Sequence, residues 1–412
     1  MARKGLKFDI ALCLGVLALV GIGMVLIYSS SAPYAELRGR PESFYLTQHF
    51  KRVIIGLFAF LAAMAVPYKT WERFAAPLIL FSLGMLLFIF VSGAGSINGA
   101  RRWITFASFG LQPSELAKLT VVFYLARRLA EKMRVGEMTL FGRGLIASLV
   151  IPMMTFGLIL MQPNFSTAAT VLGITIVMVF AAGARPSHLG ILGAIAFPAL
   201  ITVMLSSPYR MRRVMALIDP AANPESAHQG KQALISLGNG GLIGTGLGEG
   251  TQKLGYLPMP FTDTVFAILG EELGLLGTML ILLLFGLVVW RGLRIARACP
   301  DRFGSLMAAG LSASVAINVI MHVGVCVSLF PTTGQPLPFV SYGGTSLIAN
   351  LVAMGILLNI STAAADSVEP SPALVWRAAG RASPLRPFGP GRGGRAATAS
   401  VAAIRTGRGG RA

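Results

Sequence analysis

The sequence contains a succession of apolar stretches, each long enough to cross a lipid bilayer as a helix. A spanning helix needs roughly 20 mostly apolar residues. Only 12% of the residues are charged, against about 25% in a typical soluble domain. We therefore predict an all-α polytopic membrane protein with about ten transmembrane helices. The candidate spans lie at 10–30, 52–67, 74–92, 114–130, 143–161, 165–183, 187–205, 264–290, 305–330 and 342–360.

Basic residues between the spans predict which side of the membrane each connection faces. The connections with a positive bias alternate as expected for a cytoplasmic N-terminus; they lie at 69–73, 127–143, 185 and 291–302. Ten spans then place both termini in the cytoplasm, with 1–9 as the N-terminal tail. A long loop between spans seven and eight, 206–263, is expected on the extracytoplasmic side of the cytoplasmic (inner) membrane.

The C-terminal residues, the cysteines and the histidines argue against nucleic-acid-binding, disulfide-rich and metal-binding proteins. Residues 363–412 are rich in Ala, Gly, Pro, Ser and Arg, which predicts a disordered basic cytoplasmic tail lying against anionic headgroups. RNA binding by its Arg-Gly repeats is the weaker alternative, so we expect the membrane and no nucleic acid as a partner. The three cysteines form no C-x-x-C pair and the four histidines are scattered, so neither a disulfide framework nor a metal-ligand cluster is indicated.

Polar residues cluster around the start of the fourth span, where a bilayer makes them costly. The string 98–104 contains Arg102, and the string 112–118 contains Glu115 and Lys118. Because Glu115 and Lys118 are three residues apart on a helix, they can pair. Either a structural ion pair or a polar cavity wall with Arg102 as an anion ligand explains this pattern.

The long loop ends in an acidic residue that follows several basic ones. Its glycines match neither a P-loop nor a dinucleotide fingerprint, and we interpret them as part of a re-entrant loop with close backbone contacts. Asp263 is either the N-cap of the eighth span or a general base whose pKa is raised by an apolar wall. In the second case Arg213 and Lys253 would hold a pyrophosphate. Glu271 and Glu272 are expected to make buried polar contacts or an ion pair.

A third string, 331–346, contains three prolines and breaks the helical pattern between spans nine and ten. It includes Ser341. Non-helical backbone at membrane depth is tolerated where it lines a cavity. A structural turn and a cavity wall are both open at this point.

These strings, in their order and spacing, resemble the SEDS family of peptidoglycan polymerases, the FtsW, RodA and SpoVE group, over about residues 8–362. The resemblance implies a ten-span glycosyltransferase that polymerises lipid II, with glycan on undecaprenyl pyrophosphate as the donor. It implies Asp263 as the catalytic base, and it implies substrate-binding roles for Arg102, Glu115, Lys118, Arg213, Gln252, Lys253 and Ser341. The implied partners are a class B penicillin-binding protein and divisome proteins. A divalent cation, magnesium or manganese, is an optional cofactor with no assigned ligands.

Two positions depart from the family pattern. Phe261 stands where the family usually has histidine before Thr-Asp, and Asn164 stands where it often has aspartate after Gln-Pro. The strings at 246–248 and 252–254 are more similar to FtsW than to RodA, which favours septal division over elongation. A lipid-precursor transporter and a scaffold that only recruits the transpeptidase are the competing hypotheses.

Overall fold

The computed structural model describes residues 8–92, 96–97, 100–106, 109–205 and 208–366. The predicted N-terminal tail up to residue 7, Asn98 of the first polar string, and the predicted C-terminal tail beyond 366 lie outside the described residues. The first residues assigned to that tail, 363–366, are the last turn of a helix.

Twelve α-helices make up most of the described chain. Their bounds are α1 (Ile10–Glu36), α2 (Phe44–Ala65), α3 (Tyr68–Ser92), α4 (Pro113–Val135), α5 (Ala147–Met161), α6 (Phe165–Ala181), α7 (Pro186–Leu205), α8 (Pro208–Ile218), α9 (Pro224–Gly240), α10 (Val265–Ala298), α11 (Arg302–Cys326) and α12 (Gly344–Asp366). Two short hairpins between α3 and α4 were not predicted. They pair β1 (Ser96–Ile97) with β2 (Ala100–Arg101), and β3 (Ile104–Phe106) with β4 (Phe109–Leu111).

The polytopic helical fold predicted from hydropathy is confirmed. Each of the ten predicted spans coincides with one helix, α1–α7 or α10–α12, with ends that differ by up to several residues. Seven helices of the described chain are long and apolar enough to cross a membrane: α1, α2, α3, α5 with the π-helical turn before it, α10, α11 and α12. α6 is apolar but shorter. The number of ten spans therefore stays a prediction.

Small residues allow the helices to pack closely, as is common between membrane helices. α2 lies along α12, and a Cβ on Gly56 would be 2.6 Å from Leu351 Cδ1. A Cβ on Gly355 would collide with the carbonyl of Phe60 on the facing helix. Larger residues at these two glycines would push α2 and α12 apart.

The loop between α7 and α10 is more regular than predicted. It contains α8 and α9, each of which begins with a proline, a residue favoured at the first helical position. The glycine-rich part after α9 packs against a break in α10 at Gly274, where φ is +66° and only glycine is unstrained.

Backbone hydrogen bonds join this loop to both sides of the break. Thr245 N donates to Glu271 O at 2.9 Å, and Leu275 N donates to Gly241 O at 2.9 Å. The loop backbone thus satisfies groups that a continuous helix would have paired internally. The expectation of close backbone contacts at the loop glycines is confirmed.

Candidate active site

A cavity of about 590 Å³ lies among the ends of several helices and contains Asp263. The size is within the usual range for small-molecule sites, about 300–1,000 Å³. Its walls come from five separate parts of the chain: 102–103, 163–169, the α8–α9 region at 210–229, Asp263 itself, and 321–334. The string 98–104, the long loop 206–263 and the string 331–346 each contribute lining residues to the cavity. The string 112–118 contributes none.

Asp263 directly precedes the first turn of α10. The N-cap position belongs to Thr264, so the structural alternative for Asp263 is not supported. Its carboxylate faces Gly334, where an added Cβ would lie 3.6 Å from Oδ2. Burial raises the pKa of Asp263 from 3.8 to about 6, although a hydrogen bond with Thr262 and the charges of nearby arginines oppose the shift.

Three arginines, Arg102, Arg210 and Arg213, line the cavity around this carboxylate. Arg102 Nε donates to Gln162 O at 3.2 Å, and its guanidinium also donates to Pro163 O. The guanidinium of Arg213 donates to Thr332 O. These bonds fix Arg102 and Arg213 against two different walls of the cavity, so the cavity presents oriented donors suited to phosphate.

Asn164, the neutral departure from the family pattern, is part of the cavity wall. Its Nδ2 donates to Ser114 Oγ at 3.3 Å, which connects the wall to the first turn of α4. An aspartate here would have placed a second carboxylate in the lining. The substitution therefore makes the cavity more positive.

Glu115 and Lys118 form the predicted ion pair on α4, with Lys118 Nζ 2.9 Å from Glu115 Oε1. Both side chains are buried. Glu115 directly follows Ser114 and Lys118 lies about one turn further along α4, and neither is among the residues that line the cavity. The structure therefore supports the alternative of a structural ion pair within α4, and their direct contact with substrate stays a prediction.

Lys253 is not at the cavity, contrary to its expected role as a pyrophosphate ligand. Its ammonium lies 2.5 Å from Glu272 Oε1 and 2.9 Å from Ser29 Oγ. The Lys253 and Glu272 side chains are 3% and 0% exposed. This buried contact confirms the expected ion pair at Glu272 and assigns Lys253 to structure, because an ammonium so enclosed has no path to a ligand.

Gln252 and Ser341 also make structural contacts, Gln252 through its backbone N–H and Ser341 through its side-chain hydroxyl. The side-chain Oε1 of Gln252 is buried without a hydrogen-bond partner among the described residues. Glu271 accepts hydrogen bonds from the N–H groups of Thr251 and Gln252, at 3.0 and 3.2 Å, and so holds the loop against α10. Ser341 Oγ accepts from Leu337 N at 2.8 Å within the 331–343 segment. Neither side chain lines the cavity.

A buried polar network supports the far wall and was missed in the sequence. Gln335 Nε2 donates to Thr170 Oγ1 at 3.0 Å and to Asn318 Oδ1 at 2.5 Å. Gln335 O contacts His322 Nδ1 at 2.8 Å. Gln335 follows Gly334, so the network fixes the backbone beside Asp263. The only sequence signal was the presence of polar residues inside the apolar spans six and nine.

Phe261, the second departure, lies at the centre of an aromatic cluster. Its ring centroid is 5.3 Å from Tyr34, 4.9 Å from Tyr45 and 5.4 Å from Tyr342. Its carbonyl accepts a hydrogen bond from Tyr342 N at 2.9 Å. The packing of these rings fixes the chain two residues before Asp263.

The described residues that line the cavity do not form a ligand set for a divalent cation. Magnesium and manganese prefer several oxygen ligands, usually including carboxylates. Asp263 is the only acidic residue among the described residues that line the cavity, and three arginines line it as well. In the described part of the chain, no group of three or more His, Cys, Asp or Glu side chains is placed to hold a metal.

Comparison with protein families and curated proteins gives consistent matches. A family model described as a cell cycle protein of the FtsW, RodA and SpoVE group matches residues 10–366. Stage V sporulation protein E of Bacillus subtilis is 40% identical over 363 residues, which are 88% of this chain and 99% of that protein. A protein of Trichlorobacter lovleyi named "Probable peptidoglycan glycosyltransferase FtsW" is 38% identical over 357 residues, 86% of this chain and 93% of that protein.

Two solved structures share the fold. One, from a study of how a peptidoglycan synthase complex coordinates polymerization and crosslinking, has a TM-score of 0.71 at 28% identity and covers 87% of this chain and 99% of that chain. The rod shape determining protein RodA of Thermus thermophilus has a TM-score of 0.63 at 28% identity and covers 87% and 98% of the two chains. The residues matched by the family model, 10–366, include all ten predicted spans.

Proposed function

The chain belongs to the FtsW, RodA and SpoVE family of cell cycle proteins, and from this premise we propose that it is a peptidoglycan glycosyltransferase that polymerises lipid II. Its relatives include proteins named as peptidoglycan glycosyltransferases. The observation that carries the proposal is a single carboxylate, Asp263, enclosed in a cavity with three arginines. Glycosyl transfer from a diphosphate-linked donor to a hydroxyl group needs a base for the hydroxyl proton and a binding site for the departing diphosphate.

Asp263 is the proposed general base. The incoming lipid II presents the 4-hydroxyl of its terminal sugar, and Asp263 takes the proton as the oxygen attacks the anomeric carbon of the growing glycan. The new glycosidic bond forms while the bond to undecaprenyl diphosphate breaks. With a pKa of about 6, the Asp263 carboxylate is mostly ionised at neutral pH. Its pKa is also near the operating pH, which makes it an effective proton acceptor.

Arg102, Arg210 and Arg213 are the proposed ligands of the departing diphosphate. The negative charge on that group grows as the glycosidic bond to it breaks, and charge-assisted hydrogen bonds from guanidiniums stabilise such charge. The hydrogen bonds of Arg102 and Arg213 to the walls hold these two side chains in position before substrate arrives. The proposed site does not include Lys253.

The chain is a multi-pass membrane protein. We place the cavity on the extracytoplasmic side and both termini in the cytoplasm, in accord with the distribution of basic residues. We propose septal wall synthesis as its setting, since many of its relatives carry the name FtsW, with RodA-like elongation as the alternative. The similarity to a chain of a peptidoglycan synthase complex supports a transpeptidase partner, for which we propose a class B penicillin-binding protein.

Polymerisation of labelled lipid II by the purified full chain, together with its transpeptidase partner, tests this function. Asp263→Asn is expected to lower the rate by about 100- to 10,000-fold, the usual loss for a general base. Asp219→Asn is the matched control, because Asp219 is an exposed acid in the same loop.

Wild-type rates from Asp263→Asn would remove Asp263 from the mechanism. Transport of lipid II across vesicles by a chain that makes no glycan would instead favour the transporter hypothesis.

A further inference from the structure

Cationic and aromatic side chains cluster where α1 ends and α2 begins, at the same end of the helices as Asp263. We call this cluster the arginine–tyrosine face. Two of its rings contact Phe261, the residue two positions before Asp263. The face consists of Tyr34, Arg38, Arg40, Phe44, Tyr45 and Arg52.

Each arginine of the face is positioned by an aromatic ring. The Cζ atom of Arg38 is 4.7 Å from the ring centroid of Tyr34, and that of Arg40 is 4.4 Å from the ring of Phe44. Arg52 lies 4.5 Å above the ring of Tyr342. Such cation–π contacts orient guanidiniums while leaving N–H groups to bind an anion.

The charges of the face are available to a ligand. Arg38 and Arg40 are exposed, and among the described residues neither they nor Arg52 forms an ion pair with a carboxylate. The surrounding segment, 31–52, holds four basic and two acidic residues. The acidic residues, Glu36 and Glu42, are exposed and reduce the positive field without cancelling it.

The proposed reaction requires two anionic substrates at once. The donor places its diphosphate at the reacting carbon, in the arginine cavity. The acceptor reacts through its terminal sugar, so its own diphosphate lies a disaccharide's length away from Asp263. A protein site for this second diphosphate would therefore lie near Asp263 but apart from the cavity.

The arginine–tyrosine face has this placement. Phe261 contacts Tyr45 at 4.9 Å, and Tyr45 contacts Phe44 at 5.2 Å, with Arg40 over Phe44. The series of rings leads outward from the residues before Asp263 to the exposed guanidiniums. Aromatic rings also provide an amphipathic surface for sugar.

We propose that the arginine–tyrosine face binds the diphosphate and adjoining sugar of the lipid-linked acceptor. This inference rests on the proposed function and adds a second substrate subsite to it. The same phosphate chemistry is found in bulk anionic phospholipid, and arginines with aromatic residues are also common at membrane interfaces. The experiment has to distinguish these two sources of phosphate.

The test is steady-state kinetics of Arg38→Gln/Arg40→Gln in vesicles of neutral phosphatidylcholine. Preformed lipid-linked glycan is held constant as donor, and the concentration of lipid II is varied. The expected result is a rise of about tenfold or more in the KM for lipid II with kcat unchanged, from the loss of charge-assisted bonds. Arg38→Lys/Arg40→Lys should retain part of the affinity, and Arg128→Gln/Arg134→Gln on α4, away from the face, is the matched control.

An unchanged KM for lipid II, or an effect confined to vesicles containing phosphatidylglycerol, would overturn the proposal, because the face would then anchor the helices to bulk lipid. Binding of labelled lipid II to the inactive Asp263→Asn chain gives a second measurement. The Asp263→Asn chain is expected to bind lipid II at two sites. The same chain with Arg38→Gln/Arg40→Gln added is expected to bind it at one site. A single lipid II site in the Asp263→Asn chain, before the arginine substitutions are added, would refute the second subsite. Polymerisation by the wild-type chain would still support the proposed function in that case.

Discussion

The buried ion pair of Lys253 and Glu272 gives a prediction that separates structure from substrate binding. In Lys253→Met an apolar chain of similar length replaces the ammonium. The Glu272 carboxylate, which is 0% exposed, then keeps only the hydrogen bond from Ser29 at 2.5 Å. Its Oε2 atom has no hydrogen-bond partner among the described residues even in the wild type.

The expected loss of folding free energy is about 3–5 kcal/mol, the usual cost of removing one partner of a buried pair. Lys253→Met/Glu272→Gln removes both charges and should therefore be more stable than Lys253→Met alone. The coupling energy between the two positions is expected to be about 1–3 kcal/mol.

Thermal unfolding of the purified chain in detergent, followed by size-exclusion fluorescence, measures these differences. Lys231→Met is the control, because Lys231 is an exposed lysine in the same loop. A Lys253→Met chain with wild-type stability and a raised KM for lipid II would refute this reasoning. That outcome would return Lys253 to the role of a diphosphate ligand.

Three further predictions concern the residues around Asp263 and the loop behind it. Polymerisation should rise about tenfold per pH unit below pH 6 and level off above it, since the base acts only when ionised and burial raises its pKa to about 6; a midpoint near pH 4 in a rate–pH profile would contradict this. Phe261→Ala should lower kcat and the unfolding temperature with little change in KM, while Phe261→Tyr should retain most activity; a selective KM effect in the kinetics would disagree. Gly274→Ala should destabilise the chain by at least about 1–3 kcal/mol, because φ at this position is +66° and an added Cβ would lie 2.6 Å from Leu242 O. Limited proteolysis of this variant should then cut within 241–255. Resistance to proteolysis equal to that of the wild type would contradict the role of Gly274 in holding the loop against α10.

The sequence predicted the helices well because hydropathy and length act locally. All ten predicted spans coincide with helices, and the errors are confined to their ends. The resemblance to the SEDS family also implied that Arg102, Arg213 and Asp263 share one site, and the structure brings all three to one cavity. α8 and α9 were missed because short amphipathic helices produce a weaker pattern than spanning ones.

The role of Lys253 could not be predicted, because it depends on which tertiary neighbour the side chain meets. Lys253 and Glu272 are 19 residues apart, and their contact needs the loop to fold back onto α10. No spacing rule for a helix or strand predicts such a pair. The same limit applies to Asn164, whose neighbour Ser114 lies on another helix. The contact of Ser341 with Leu337 N is local, but it depends on the non-helical conformation of the 331–343 segment, which no periodic pattern specifies.

The break at Gly274 also decides how the protein responds to bilayer thickness. α10 has 34 residues, about 51 Å at 1.5 Å per residue if it were straight, and the hydrocarbon layer measures only about 30 Å. The stretch 275–298 after the break is on the order of 36 Å long and suffices to cross. A change in bilayer thickness will therefore change the tilt of this stretch. The part of α10 between Asp263 and the break stays hydrogen-bonded to the loop. The geometry of the cavity that contains Asp263 is therefore expected to be independent of the length of the surrounding lipid chains.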